Sequence, residues 1–205
     1  MRKKIFRIVP SKSIHYLRCP HFLFVSNLVN VYIEHPPIIG IQRAMKFKKT
    51  VIARISDSLH KKPVFINNPV DMLDKDGLFL MRSNIEFPIY SVSDLDIIIP
   101  ILQPDFLHSE KIDNRLNVSV CTIKNVMQPR FDQLFQAYLY KLAIYNKLLD
   151  VTYKPPIVHA TVIHWKDESL LKKYEETEYT EEDISFLRAG LEKLDRDISD
   201  KAALK

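Results

Sequence analysis

Two aspartates open an apolar stretch of the chain, in the segment SDLDIIIP. Side chains alternate in direction along a β-strand, so Asp94 and Asp96 are expected on the same face. Mg²⁺ in proteins is commonly held by one or two carboxylates together with substrate phosphate and water. The pair therefore predicts a divalent-cation site, and the alternative interpretation is a solvated strand entrance.

A lysine ends a second apolar stretch, VSVCTIKNV, in which Thr122 and Lys124 are expected on a common strand face. If this strand lies beside the strand of Asp96, the ammonium group can stabilise a developing oxyanion or position an attacking water next to the cation. Without such neighbours, a lysine at a strand end is a solvated residue. The hydrolytic interpretation therefore requires that the two strands be neighbours.

Three more polar residues lie on predicted helices. Gln136 and Tyr140 are four positions apart, so they share one helix face and can present polar groups to a phosphate backbone. The alternative is that they lie at the boundary of an amphipathic helix. His60, near the end of a basic helix, can reach a metal ion as a neutral imidazole, although most single histidines have no such role.

The elements that must position these residues follow from hydrophobic periodicity. This periodicity predicts three helices: one from Ser11 to Leu28 that Pro20 breaks, a basic helix over residues 41–61, and a helix that begins at Pro129. Predicted strands are Leu78–Tyr90, Asp94–Leu102, Leu116–Lys124 and Pro156–Trp165, with an exposed loop over Asp105–Asn117 and a charged C-terminal helix over about residues 180–203. This order predicts one α/β domain over residues 1–205, built around a mixed sheet.

Composition excludes several classes of protein. The 205 residues include only three glycines, so Gly-rich phosphate loops of the Walker or dinucleotide type are excluded. A net charge of +5 favours an anionic partner such as nucleic acid. Two cysteines, Cys19 and Cys121, are too few for a disulfide framework and indicate a reducing, cytoplasmic compartment. The apolar runs are shorter than the roughly 20 residues of a membrane span, so no membrane association is expected.

The order of the motifs resembles a known family. PSKSIHYLRCP is followed by a helical histidine, the aspartate of DLDIII, a strand ending in x-x-Lys and a Gln-x-x-x-Tyr helix. This series resembles the RecB-like branch of the PD-(D/E)XK nuclease superfamily over roughly residues 8–166. It looks most like the CRISPR-associated RecB-family exonucleases and their relatives in archaea and archaeal viruses. The resemblance implies a restriction-endonuclease-like mixed β-sheet flanked by helices.

The resemblance also implies roles for individual residues. His60 matches a metal-associated histidine, Asp96 a metal-binding aspartate and Lys124 the catalytic lysine of that family. Gln136 and Tyr140 match a signature helix that contacts DNA. The implied cofactor is Mg²⁺ or Mn²⁺, and the implied partner is DNA.

The chain departs from the family pattern in two ways. The family motif is acid-x-Lys, and Thr122 occupies the acid position. Because a hydroxyl brings no negative charge to offset a cation, metal affinity should suffer, and Asp94 is the candidate for the missing carboxylate. The family's iron-sulfur cluster needs four cysteines, three of them near the C-terminus. No cysteine follows Cys121, so no iron-sulfur cluster is predicted and Cys19 is interpreted as a small buried residue.

Three functions are compatible with these observations. The first is a metal-dependent DNA nuclease that acts on single-stranded DNA or DNA ends. For this function the resemblance also implies a homo-oligomer, as in relatives, and a viral origin. The second is a catalytically silent module that keeps the nuclease fold and binds DNA or another partner. The third is an α/β domain whose resemblance is accidental. The resemblance predicts that Asp96, Lys124, Gln136 and His60 gather in one cleft.

Overall fold

The computed structural model of the chain describes residues 4–7, 38–91, 95–165 and 174–179. Within these ranges two helices are present, α1 (Ile38–Leu59) and α2 (Phe131–Leu149). The first five strands of the described part are β1 (Lys4–Arg7), β2 (Val64–Ile66), β3 (Gly77–Met81), β4 (Ile85–Ser91) and β5 (Leu95–Leu102). They are followed by β6 (Phe106–Ile112), β7 (Arg115–Ile123), β8 (Ile157–Trp165) and β9 (Tyr174–Tyr179).

The larger sheet contains six strands in the order β2-β3-β6-β7-β8-β9. It is mixed, because β2 pairs with β3 and β7 with β8 in parallel, whereas the other neighbours are antiparallel. A two-residue turn at Asp113 and Asn114 joins β6 to β7, and both residues have positive φ angles, 51° and 58°. Such a turn fits the twist of a hairpin, and Asp and Asn tolerate the left-handed conformation. The turn fixes the register that pairs Phe106 with Cys121.

The two helices cover opposite faces of this sheet. The side chains of β7 alternate, with Val118 and Val120 in the cluster under α2 and Cys121 and Ile123 in the cluster under α1. From α1 the buried contacts are Phe47, Val51 and Ile55; from α2 they include Phe135, Leu139 and Ile144. Full burial of one such apolar side chain contributes about 1.5–3 kcal/mol, so both helices are held mainly by their apolar stripes.

A second, three-stranded sheet has the order β1-β5-β4. In this sheet β1 runs parallel to β5, and β4 runs antiparallel to it. The pairing places Asp96 of β5 between Ile5 of β1 and Ser91 of β4. The strand of Asp96, β5, therefore lies in a different sheet from β7, the strand that ends next to Lys124. The prediction that these two strands are neighbours was wrong.

The mixed α/β class predicted from the sequence is confirmed for the described residues, as are α1, α2 and the strands β5, β7 and β8 to within a few residues. The prediction of one long strand over Leu78–Tyr90 was wrong, because β3 and β4 are separate and lie in different sheets. The predicted loop over Asp105–Asn117 was also wrong, since it contains β6. The strand was not predicted because it contains polar residues. One of them, Ser109, can be fully buried because it donates a hydrogen bond to the carbonyl of Lys75 at 2.6 Å.

Three further predictions concern the ends of the chain and the membrane. The helix predicted from Ser11 to Leu28 and the C-terminal helix over about residues 180–203 lie outside the described residues. The strand β9, which pairs with β8, was not predicted from the sequence. Neither described helix is both long and apolar enough to span a bilayer.

Candidate functional site

Three of the residues expected to share a site do meet in the structure. Lys124 directly follows β7, and its backbone N–H donates to the carbonyl of Ile163 at 2.8 Å, which holds it against β8. Its Nζ donates to Oε1 of Gln136 at 2.6 Å. Nε2 of Gln136 in turn donates to the hydroxyl oxygen of Tyr140 at 2.7 Å. The end of β7 and one face of α2 are thus linked by a continuous chain of hydrogen bonds.

Tyr140 lies at the buried end of this series of hydrogen bonds, and 7% of its surface is exposed. Burial raises the pKa of Tyr140 to about 12, and the nearby Asp105 carboxylate raises it further, while the hydrogen bond with Gln136 acts in the opposite direction. Its phenol is therefore protonated at neutral pH. It is suited to orienting the amide of Gln136, and it carries no charge that would repel an anion.

Asp105 is a functional candidate that the sequence analysis missed. It lies between β5 and β6, and its backbone N–H donates to the carbonyl of Cys121 at 2.9 Å. Its Oδ2 accepts a hydrogen bond from the backbone N–H of Ile123 at 2.6 Å, so the carboxylate lies at the end of β7, next to Lys124. Because the predicted loop concealed the start of β6, Asp105 was taken for a solvated loop residue.

One signal could have found it. Asp113 and Asn114, two residue types that tolerate the left-handed conformation of a hairpin turn, separate the segment that follows Asp105 from the segment that ends at Lys124. In a hairpin, the start of one strand and the end of the next lie side by side. Recognition of β6 as a strand would therefore have placed Asp105 beside Thr122.

A second lysine reaches this point from the other helix. The Nζ of Lys48 in α1 lies 2.5 Å from Oδ1 of Asp105, and the two side chains are 41% and 16% exposed. We refer to the resulting group as the strand-end cluster: Lys48, Asp105, Lys124, Gln136 and Tyr140. It contains two ammonium groups and one carboxylate, so it carries a net positive charge.

Thr122 lies next to the end of β7, at the position for which the resemblance predicted an acid. It is 1% exposed, and its Oγ1 has no hydrogen-bond partner among the described residues. An unsatisfied buried hydroxyl costs about 1–3 kcal/mol. A buried, neutral side chain therefore stands at the position that the resemblance assigns to an acid.

These residues do not fit a divalent cation held by the protein. Mg²⁺ and Mn²⁺ prefer several oxygen ligands, among them carboxylates. The described residues contain no group of three or more His, Cys, Asp or Glu side chains suited to a metal ion. In the strand-end cluster the single carboxylate already accepts from an ammonium group and a backbone N–H. Mg²⁺ or Mn²⁺ thus remains a prediction from the resemblance that the geometry of the cluster does not favour.

The structure does not bring the remaining predicted ligands into this cluster. Asp94 lies outside the described residues, and the backbone of Asp96 belongs to the three-stranded sheet. His60 follows the end of α1, about 18 Å along the helix axis from Lys48 at a rise of 1.5 Å per residue. The expectation that His60 gathers with Lys124 and Gln136 was therefore wrong.

A local role explains His60 instead. Its φ angle is 52°, and the N–H of the next residue, Lys61, donates to the carbonyl of Ser56 at 3.1 Å. A left-handed residue at this position terminates a helix and satisfies its last carbonyls. His60 is exposed and closes α1.

Comparison of the chain with protein-family models, curated proteins and solved structures finds no match. Function is consequently argued from the geometry of the cluster and from the chemistry of its side chains.

Proposed function

We propose that this chain is a DNA-binding protein that uses a nuclease-type site to bind phosphate without metal-dependent hydrolysis. The observation that carries the proposal is the strand-end cluster, in which Lys48 neutralises the carboxylate of Asp105 and a second ammonium group, that of Lys124, is held by Gln136. A site of this charge attracts an anion more readily than a cation.

The chemistry of the cluster suits a phosphodiester. Ammonium groups form charge-assisted hydrogen bonds with phosphate oxygens, and a side-chain amide can add a neutral one. Gln136 is held in place from both sides, by Lys124 and by Tyr140. An amide held in this way needs little reorganisation when a phosphate arrives, which lowers the entropic cost of binding.

Helix α1 supports an extended single strand as the ligand. Its exposed basic residues include Arg43, Lys46 and Lys49, and Lys48 lies on the same helix at the cluster. A positively charged groove that follows the backbone is the usual means of binding single-stranded DNA without sequence preference. Single-stranded DNA or DNA ends are therefore the proposed ligands.

The restriction-endonuclease-like fold is part of this proposal. A mixed sheet with one helix on each face is the arrangement that the resemblance implies. The positions of Lys124, Gln136 and Tyr140 within one cluster add support. Both observations are independent of whether the site is active.

A metal-dependent deoxyribonuclease is the second candidate, and a specific observation favours it. Asp105 and Lys124 lie at adjacent strand ends, as a carboxylate and a lysine must in a hydrolytic site of this type. Activity would require Asp105 to exchange its partner Lys48 for a metal ion. It would also require a second carboxylate, for which Asp96 and Asp94 are the candidates from the sequence.

A cleavage and binding assay separates the two candidates. Labelled single-stranded DNA is incubated with the protein in EDTA, in Mg²⁺ and in Mn²⁺, and products and bound fraction are measured on the same samples. The proposal predicts salt-sensitive binding in all three buffers and no product. Product that appears only with a divalent ion, and that disappears in Asp105→Asn and Lys124→Met variants, would instead establish the nuclease.

A further inference from the structure

Lys48 and Asp105 form an ion pair beside the end of β7, within the strand-end cluster. The Nζ of Lys48 lies 2.5 Å from Oδ1 of Asp105, and the same carboxylate accepts from the backbone N–H of Ile123 at 2.6 Å. Both oxygens are therefore engaged by donors from within the chain. A carboxylate oxygen that accepts from an ammonium group is a poor ligand for a second cation.

The ion pair connects α1 with the short connection between β5 and β6. Lys48 comes from α1, whose residues Phe47 and Val51 are buried next to it and fix the helix in place. The ring of Phe47 stacks on Trp165 with 4.0 Å between centroids. Because α1 is anchored on both sides of Lys48, the ammonium group is delivered to Asp105 by the fold.

We infer that Lys48 replaces the divalent cation of the site: its ammonium group neutralises Asp105, excludes Mg²⁺ or Mn²⁺, and offers its remaining donors to a DNA phosphate. This inference rests on the proposed function, because it explains how the same cluster binds phosphate without a metal. An ammonium group has three donors, and Asp105 uses one of them. Since Lys48 is 41% exposed, the other donors can reach a ligand from solvent.

The loss of the second carboxylate agrees with this exchange. A second carboxylate would cancel the net positive charge of the strand-end cluster, whereas Asp105 alone leaves that charge in place. The buried Thr122 occupies the acid position with a neutral side chain. An ammonium group carries less positive charge than a divalent ion, and a threonine carries less negative charge than an acid. The two differences therefore offset each other.

Direct measurement of Mn²⁺ binding tests the inference without reference to activity. The electron paramagnetic resonance signal of free Mn²⁺ is recorded during titration of the wild type and of Lys48→Met, Lys48→Arg and Lys49→Met variants. We expect Lys48→Met to bind Mn²⁺ about tenfold more tightly than the wild type, because a unit charge beside Asp105 is removed. Lys48→Arg keeps the charge, and Lys49→Met removes an exposed charge from the same helix; both should behave like the wild type.

Binding of single-stranded DNA by the same variants gives a second readout. In EDTA, Lys48→Met should bind DNA several-fold more weakly than the wild type. In a buffer with Mn²⁺ and without EDTA, the DNA affinity of Lys48→Met should be restored and that of the wild type should be unchanged. The double variant Lys48→Met/Asp105→Asn should not respond to Mn²⁺, because it lacks the carboxylate.

Two outcomes would overturn the inference. One is that Lys48→Met and the wild type bind Mn²⁺ with equal affinity while circular dichroism shows that both are folded. If Lys48→Met does not fold, the Lys48→Arg variant takes its place. Tighter Mn²⁺ binding by Lys48→Arg than by the wild type would also overturn the inference. The other is wild-type protein that already binds Mn²⁺ through Asp105. Failure of the proposed function is distinguishable from both, since it appears as wild-type protein that does not bind DNA whatever its Mn²⁺ affinity.

Discussion

At the scale of single residues, Thr122 places a hydroxyl where no described group can accept or donate a hydrogen bond. The neighbouring Lys124 and Gln136 are engaged with each other, so the hydroxyl contributes nothing to their arrangement. A carboxylate at this position would be buried and next to Asp105, where like charges repel. The cluster is therefore built for one carboxylate only.

Replacement of Thr122 by Val should be neutral or stabilising. The substitution keeps the shape of the side chain and removes an unsatisfied buried hydroxyl, so we expect the free energy of unfolding to stay the same or rise by up to about 1 kcal/mol. Urea denaturation of both proteins measures the change. Destabilisation by more than about 1 kcal/mol would show that the hydroxyl has a partner that this account omits.

Tyr140 makes stability depend on alkaline pH in a defined direction. Its pKa is raised to about 12 in the folded protein, whereas an unfolded tyrosine titrates near 10. The folded state thus holds this proton more tightly, so the stabilisation is fully present below pH 10 and is lost as the pH rises toward 12.

A comparison with Tyr140→Phe isolates this effect from the titration of other groups. Between pH 10 and pH 12 the wild type should lose on the order of 2 kcal/mol more unfolding free energy than the variant does. Denaturant titrations at a series of pH values give the two slopes. Parallel slopes would mean that Tyr140 is not buried beside Asp105 as described.

At the scale of elements, the β6–β7 hairpin determines where Asp105 lies. Its two-residue turn at Asp113 and Asn114 sets the register, and the register brings the start of β6 to the end of β7. The hydrophobic pattern of β7 was sufficient to predict that strand from the sequence. It did not predict β6, because the second half of this strand is polar and exposed.

A β-branched residue at the turn should weaken the hairpin. Asn114 has a φ of 58°, which valine adopts only with strain, so Asn114→Val is expected to lower the free energy of unfolding by about 1–2 kcal/mol. Asn114→Gly is the matched control, since glycine accepts this conformation readily. Thermal unfolding of the three proteins tests the order. Equal stability of the valine variant and the wild type would contradict the turn described.

Contacts of the site within one helix or strand can be predicted from the sequence, whereas contacts between distant elements cannot. Gln136 and Tyr140 were paired correctly because helical spacing alone places them on one face. Lys124 was expected at a strand end, which the alternation of β7 supports. Asp105 and Lys48 were missed, because their contact joins residues from a helix and a distant strand start, and no local pattern encodes such a pairing.

At the scale of the whole molecule, strand order was the least predictable property. Asp96 was expected beside Lys124, but β5 pairs with β1 and β4 in a separate sheet. Pairing between strands far apart in the chain depends on the packing of the complete fold, and periodicity gives each strand without its neighbours. The net charge of +5 was informative in a different way, since it indicates an anionic partner whatever the topology.

The salt dependence of DNA binding in EDTA tests the central claim most directly. For single-stranded DNA, the logarithm of the affinity falls with the logarithm of salt concentration by about 0.7 per phosphate contact. The account predicts that wild-type protein binds in EDTA and that Lys124→Met lowers both the affinity and this slope by about one contact. Lys147→Met, in the last turn of α2, should change neither. Binding that requires a divalent ion, or slopes that are equal in all three proteins, would contradict it.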